Sequence, residues 1–278
     1  MSSDAPLPLL AIDVGNTRVK AGVFAGAAAD CVESAQSGVL PIASARVPEP
    51  VAAFSATAEE LAGFAEWVAD ELASLGRVVI ASVSQPTEDA VVAALRDVKV
   101  ERLTSETLPI RLDVEQPESL GVDRAVAAVA ANRLRHAGKP AIVVDVGTAI
   151  TVDLIDEEGV FLGGAILPGP GLAARALAEK TDRLPDVRFG ELDTSPDAVG
   201  RATEPAIRAG VYWGAVGSIR ELIARQRDRC VVPPQVFLTG GAAPSFARLI
   251  GGPDLTVRYL PHLTLTGIAI AAEAILES

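Results

Sequence analysis

Leu10-Ala11-Ile12-Asp13-Val14-Gly15-Asn16-Thr17 and Val143-Val144-Asp145-Val146-Gly147-Thr148-Ala149 are two copies of one phrase, an apolar run ending in Asp-Val-Gly and an amide or hydroxyl residue. In each, a buried strand delivers a carboxylate into a glycine turn. Such a turn lets backbone N–H groups and a carboxylate-held cation grip opposite sides of a phosphate chain. The repetition predicts two halves built alike and points to nucleotide chemistry.

Outward from these phrases the pattern is of the α/β kind. Leu7 to Val14 and Val19 to Phe24 read as a β-hairpin about Gly15-Asn16-Thr17. Helical spacing follows over Ala56 to Leu75, with Leu61, Phe64, Val68 and Leu72 on one side, then a strand over Val78 to Val83 and a helix from Thr87 to Leu95. A loop rich in Asp, Glu and Pro, Asp113 to Ser119, leads to Gly121-Val122-Asp123-Arg124 and an Ala-rich helix ending near His136. The second half starts over, with strands Ala141 to Val146, Thr151 to Ile155 and Val160 to Ala165. Helices from about Leu172 and Asp197, a strand Gln235 to Leu238, a helix after Gly241 and a last helix Thr264 to Leu276 complete it. The boundary expected at Gly138-Lys139-Pro140 divides the chain into lobes 1–137 and 138–278, meeting at a cleft.

Composition narrows the class. The chain has 278 residues, 49% of them hydrophobic, enough for a substantial core without staples. Cys31 and Cys230 stand far apart without metal-ligand spacing, so a disulfide framework and a zinc site are both disfavoured, and a reducing cytoplasm is expected. The first residues lack the positive charge of a signal peptide, and no apolar run is long enough to span a bilayer. A formal charge of −12 opposes nucleic-acid binding, although local donors still allow a small anionic substrate.

Asp13 and Asp145 end buried strands, where an ionised carboxylate needs a cation or several donors. Either alone reads equally well as an Asp that caps its own turn, but their recurrence in matching contexts favours a ligand. Gly15 and Gly147 admit a ligand close to the backbone, while Asn16, Thr17, Thr148 and Thr151 add polar groups. Thr239-Gly240-Gly241-Ala242, between a strand and a helix, offers a side-chain-free surface for a purine or ribose, or is an ordinary βα turn. Gly163 to Gly171, with four glycines and two prolines, forms a shaped wall beside the site or a loop with several breakers. His136 and His262 share no motif, which leaves little for a histidine mechanism.

These elements in this order resemble the superfamily of acetate and sugar kinases, heat-shock chaperone ATPases and actin. Within it, Asp-Val-Gly-Asn-Thr at 13–17, Gly-Val-Asp-Arg at 121–124, Val-Asp-Val-Gly-Thr-Ala at 144–149, Gly-Gly-Ala-Ile-Leu-Pro-Gly at 163–169 and Thr-Gly-Gly at 239–241 are similar to type III pantothenate kinases. The resemblance spans nearly the whole chain. It implies two ribonuclease H-like (actin-like ATPase) lobes with a cleft between them, and transfer of the ATP γ-phosphoryl group to pantothenate.

On that resemblance Asp13, Val14, Gly15, Asn16, Thr17, Lys20, Gly147, Thr148, Ala149, Thr239, Gly240 and Gly241 bind ATP and its phosphates. Asp13 and Asp145 hold Mg²⁺, with K⁺ or ammonium nearby. Asp123 is the catalytic base, and Gly121, Val122, Asp123, Arg124, Thr181 and Thr203 meet pantothenate, Thr203 across a homodimer interface. The apolar breadth of Ala206 to Ile223 agrees with such a dimer. One departure stands out: the family often carries a Tyr before the Pro that precedes Gly-Xaa-Asp-Arg, and Asp113-Val114-Glu115-Gln116-Pro117 has no aromatic residue. Two other readings therefore stay open: a kinase for another small hydroxylated substrate, and a non-catalytic nucleotide-binding regulator.

Overall fold

In the computed structural model, which describes residues 8–25, 48–57, 60–72, 75–96, 98–189, 195–251, 255 and 257–277, the chain forms two compact units. Cys31 and the opening segment through Leu7 lie outside the described residues.

The first unit begins with β1 (Leu9–Val14) and β2 (Arg18–Phe24), joined by the expected hairpin turn, which the Gly15 N–H closes on the Arg18 carbonyl at 2.9 Å. The third strand, β3 (Ala52–Thr57), pairs antiparallel with β2 and takes residues expected to open a helix, which instead starts later as α1 (Leu61–Leu72). Alanine and serine give that strand little β-propensity of its own, and pairing along β2 decides it. Next come β4 (Arg77–Ser82), α2 (Gln85–Ala94) and β5 (Val100–Arg102). Pro86 in its first turn lets α2 begin before the expected Thr87, since proline is pre-set for that position. After a short β6 (Arg111–Leu112), α3 (Val122–Leu134) follows. The sheet order is β3-β2-β1-β4-β5, with β4 and β5 parallel to β1.

Alternation along β1 separates two faces. Leu10, Ile12 and Val14 pack with Phe64, Val68 and Val91 on one side. On the other, Ala11 buries with Val79 and Ala81, with Val122, Ala125, Val126 and Val129 of α3, and with Leu265, Ile268, Ala269 and Ala272 of the last helix, α7 (Leu263–Glu277). Residues from His262 onward thus belong to the first unit, which otherwise ends at Leu134. This differs from the expected 138–278 lobe, and the cause is side-chain size. A Cβ at Gly267 would overlap the Val126 carbonyl, so α7 and the Ala-rich α3 approach backbone to backbone. Arg77 adds a polar tie, donating to the Ala272 carbonyl at 2.8 Å and to both Glu101 oxygens at 3.1 and 2.6 Å.

The second unit, Arg135–Pro261, repeats the plan. Its strands β7 (Ala141–Val146), β8 (Ala149–Ile155) and β9 (Val160–Pro168) form an antiparallel meander, and β10 (Gln235–Thr239) and β11 (Val257–Tyr259) run parallel to β7. The order β11-β10-β7-β8-β9 matches that of the first unit. Each is a ribonuclease H-like sheet. Ile142, Val144 and Val146 pack against Tyr212, Val216, Ile219 and Ile223 of α5 (Thr203–Arg227), and against Phe246 of α6 (Ala243–Ile250). Helix α4 (Pro170–Glu179) starts directly after β9. The glycine run from Gly163 is thus mostly strand rather than loop, because Ile166, Leu167 and Pro168 pair with Thr151, Ile150 and Ala149. Helix α5 starts at Thr203, not near Asp197. Gly200 lies so close to the Ala206 backbone that the segment before Thr203 crosses the helix end instead of extending it.

Candidate active site

Asp13 and Asp145 occupy the same place in their respective sheets, the penultimate residue of the central strand, at the carboxyl ends where open α/β sheets receive ligands. Asp13 is buried at 7% exposure. Lys20, opposite it across the hairpin, brings its ammonium to 3.8 Å from Asp13 Oδ2, so the buried carboxylate has a cation of its own. Asn16 and Thr17 at the turn are exposed, as is the equivalent Thr148.

Two residues beyond Ala11, Asp13 lies on the sheet face covered by α3 and α7. Both helices begin at its end of the sheet. For α7 the direction is set by Leu265 against Gly22 at mid-sheet and Ala272 at the start of β4. His262, just before α7, is held below the ordinary imidazole pKa by burial and then by the Lys20 charge. For α3 it is set by the turn at Pro117, which Ser105 beyond β5 holds. The first unit therefore gathers Asp13, Gly15, Asn16, Thr17 and Lys20 at the same edge of the sheet as Gly121, Val122, Asp123 and Arg124, while Val14 at that edge turns its side chain to the opposite face.

The Gly-Val-Asp-Arg motif has a local logic. Asp123 Oδ1 accepts the Arg124 N–H at 2.8 Å, folding the half-buried carboxylate back over the start of α3. A Cβ at Gly121 would sit 2.6 Å from that oxygen. Glycine is needed there for space, because its φ is not positive. Gly121→Ala should therefore push the Asp123 carboxylate aside without breaking the fold, since the atom that must yield is the end of a side chain. We expect turnover to fall by about 10²-fold with the thermal midpoint shifted by no more than about 2 °C, read by steady-state rates and thermal unfolding. Wild-type rates in this variant would contradict the crowding argument.

In the second unit Asp145, Gly147, Thr148, Ala149, Thr239, Gly240 and Gly241 come together. Thr239 pairs with Asp145 across the parallel strands, and the Ala242 N–H donates to the Val146 carbonyl at 3.1 Å. Gly240, at φ +102°, passes so close to β7 that a Cβ would overlap Asp145 Oδ1 and the Val146 carbonyl. Gly169 closes the other side: its N–H donates to the Thr148 carbonyl at 2.9 Å, and a Cβ would strike the Gly147 and Thr148 carbonyls. The wall expected of Gly163 to Gly171 is thus the end of β9 against the Asp145 hairpin. Thr181 and Thr203 belong to this unit too. The Thr181 hydroxyl donates to the Leu177 carbonyl at 2.8 Å, and Thr203 is exposed as the first residue of α5. The buried Ser105 appears in none of the motifs, and its bond to Pro117 joins segments twelve residues apart with no sequence signal.

The family model described as type III pantothenate kinase matches residues 9–225. Type III pantothenate kinase of Zymomonas mobilis is 34% identical over 269 residues, 95% of this chain and 92% of that one. The proteins of the same description from Moorella thermoacetica and Parafrankia sp. are 36% and 35% identical, each over 95% of this chain and 98% and 97% of their own.

Proposed function

The chain belongs to the type III pantothenate kinase family, and on that basis we propose that it transfers the γ-phosphoryl group of ATP to the primary hydroxyl of pantothenate, the first step toward coenzyme A. The observation that carries this reading is a family match over residues 9–225, a span that includes both Asp-Val-Gly turns and the Gly-Val-Asp-Arg motif.

Asp123 accepts the proton of the attacking hydroxyl. An alcohol is a weak acid, so proton transfer comes late, as the loose transition state develops, and until then the carboxylate chiefly orients the oxygen. Arg124 offers its planar fork to the pantothenate carboxylate or to the moving phosphoryl group. Asn16, Thr17, Lys20, Gly147 and Thr148 meet the phosphates, while Thr239, Gly240 and Gly241 leave room for the nucleoside. Thr181 and Thr203 complete the pantothenate pocket, Thr203 from the second copy of a homodimer. Exposed Ile166, Leu172, Leu177 and Val199 support such pairing.

The carboxylates also suit a cation. Asp145 sits in a cradle that a Cβ at Gly240 would fill and would offer Mg²⁺ the hard oxygen donor it takes, and the family resemblance assigns the same ion to Asp13. When bound, that ion neutralises charge on the phosphate oxygens. Among the described residues no group of three or more His, Cys, Asp or Glu side chains is placed to hold a metal. K⁺ or ammonium near the phosphates belongs to the same reading. No helix among the described residues is long and apolar enough to cross a membrane, and a charge of −12 disfavours nucleic acid. The partners proposed with this function are ATP and pantothenate, and the setting proposed with it is the cytoplasm, both on the family match.

A coupled ADP-release assay with ATP, Mg²⁺, K⁺ and pantothenate tests this, with the product identified by mass. We expect pantothenate-dependent turnover that fails on chelation and weakens when K⁺ is replaced at constant ionic strength. ADP release with other hydroxylated acids but not with pantothenate would move the assignment to another acceptor, and no release with any would leave a nucleotide-binding regulator.

A further inference from the structure

Ser105 lies three residues beyond β5 at 8% exposure, flanked by Leu103 and Leu108, both buried. Its hydroxyl donates to the Pro117 carbonyl at 2.7 Å. The turn that carries it is stiffened from within. The Thr104 N–H donates to Thr107 Oγ1 at 3.1 Å, and the Thr107 hydroxyl and N–H both return to the Thr104 carbonyl at 3.0 Å. On the acceptor side, the Pro117 carbonyl also takes the Leu120 N–H at 3.2 Å, and the Gln116 carbonyl takes the Ser119 N–H and hydroxyl at 3.1 and 3.0 Å. Leu120 and Val122 then pack with Leu103 and Leu108, so one hydroxyl and one apolar cluster join the two segments.

The next residues are the acceptor motif. The Gly121 carbonyl accepts the Arg124 and Ala125 N–H groups at 3.1 and 3.3 Å, starting α3, and the missing Cβ of Gly121 makes room for Asp123 Oδ1. Asp113-Val114-Glu115-Gln116, leading into this turn, has no aromatic ring to wedge it in place. We propose that Ser105 is a positioning residue for phosphoryl transfer: by holding the Pro117 carbonyl it fixes the turn that aims Asp123 and Arg124 at the acceptor. This rests on the kinase reading above. It also explains why a hydroxyl is buried here: an alanine would fill the apolar contacts equally well, and without Ser105 the Pro117 carbonyl still keeps Leu120 as a donor. Losing the tie should therefore loosen the motif more than it weakens the fold.

The test is Ser105→Ala in the full chain, with steady-state kinetics for both substrates and amide hydrogen exchange. We expect kcat/KM for pantothenate to fall about tenfold, with the KM for ATP held within about twofold. Exchange should quicken at Leu120, Arg124 and Ala125 and stay unchanged in α1, α2 and α7. Unaltered kcat/KM for pantothenate overturns the proposal, as does a loss shared equally by ATP and pantothenate with faster exchange across the whole unit. Should the wild-type protein release no ADP with pantothenate, the function fails separately. Exchange then decides Ser105, local quickening upholding the tie and unchanged rates at those three amides overturning it.

Discussion

Asp123→Asn should lose about 10²- to 10⁴-fold in turnover with pantothenate, the usual contribution of a positioned base, while binding ATP as the wild type does. Asparagine keeps the oxygen that accepts the Arg124 N–H at 2.8 Å, so the start of α3 and its crowding by Gly121 survive the exchange. What disappears is the ability to take a proton. Coupled ADP release gives the rate, and calorimetry with a non-hydrolysable ATP analogue gives the affinity. A variant that turns over near the wild-type rate would remove Asp123 from the chemistry. One that loses ATP binding as well would make it a residue of the nucleotide site.

The hairpins that carry Asp13 and Asp145 were legible because their pattern is local: β-branched runs, a glycine turn, and a partner strand only a few residues away. Segments whose state depends on distant partners were not. Ala56 and Thr57, expected to open a helix, instead end the strand Ala52–Thr57 through its pairing with β2. Val100–Arg102 and Val257–Tyr259 are three residues each, too short for a period to register. Helix α7 was recognised as a helix, but nothing in its apolar pattern says which sheet it covers. That is settled by Gly267 against Val126 and by Arg77 reaching Ala272, contacts far apart in sequence.

The site divides along the same line. Residues in the Asp-Val-Gly, Gly-Val-Asp-Arg and Thr-Gly-Gly motifs were visible because each motif is one continuous turn. Lys20 was marked only by resemblance, and the pairing register supplies its reason by setting it opposite Asp13. Ser105 was invisible, because a single serine acting on a carbonyl twelve residues away leaves no periodic or spaced trace. Glycines show the contrast best. Sequence marks them as permissive positions, and only the surrounding atoms tell which of them are required.

Gly240 and Gly241 put that distinction to a test between neighbours. A Cβ at Gly240 would overlap the Asp145 carboxylate and the carbonyl of Val146, which is backbone within a central strand and cannot yield, and its φ of +102° is one that L side chains rarely adopt. At Gly241 a Cβ has nothing within 4 Å. Gly240→Ala should therefore destabilise the protein by about 2–4 kcal/mol, combining backbone strain with a forced shift of the turn, and raise the KM for ATP by displacing Asp145. Gly241→Ala should leave the unfolding free energy within about 0.5 kcal/mol of wild type, the range of an open surface change. Urea unfolding of the two variants side by side separates space from mere flexibility. If both alanines are tolerated equally, the close passage of Gly240 over β7 does not constrain the chain, and the cradle assigned to Asp145 loses its physical basis.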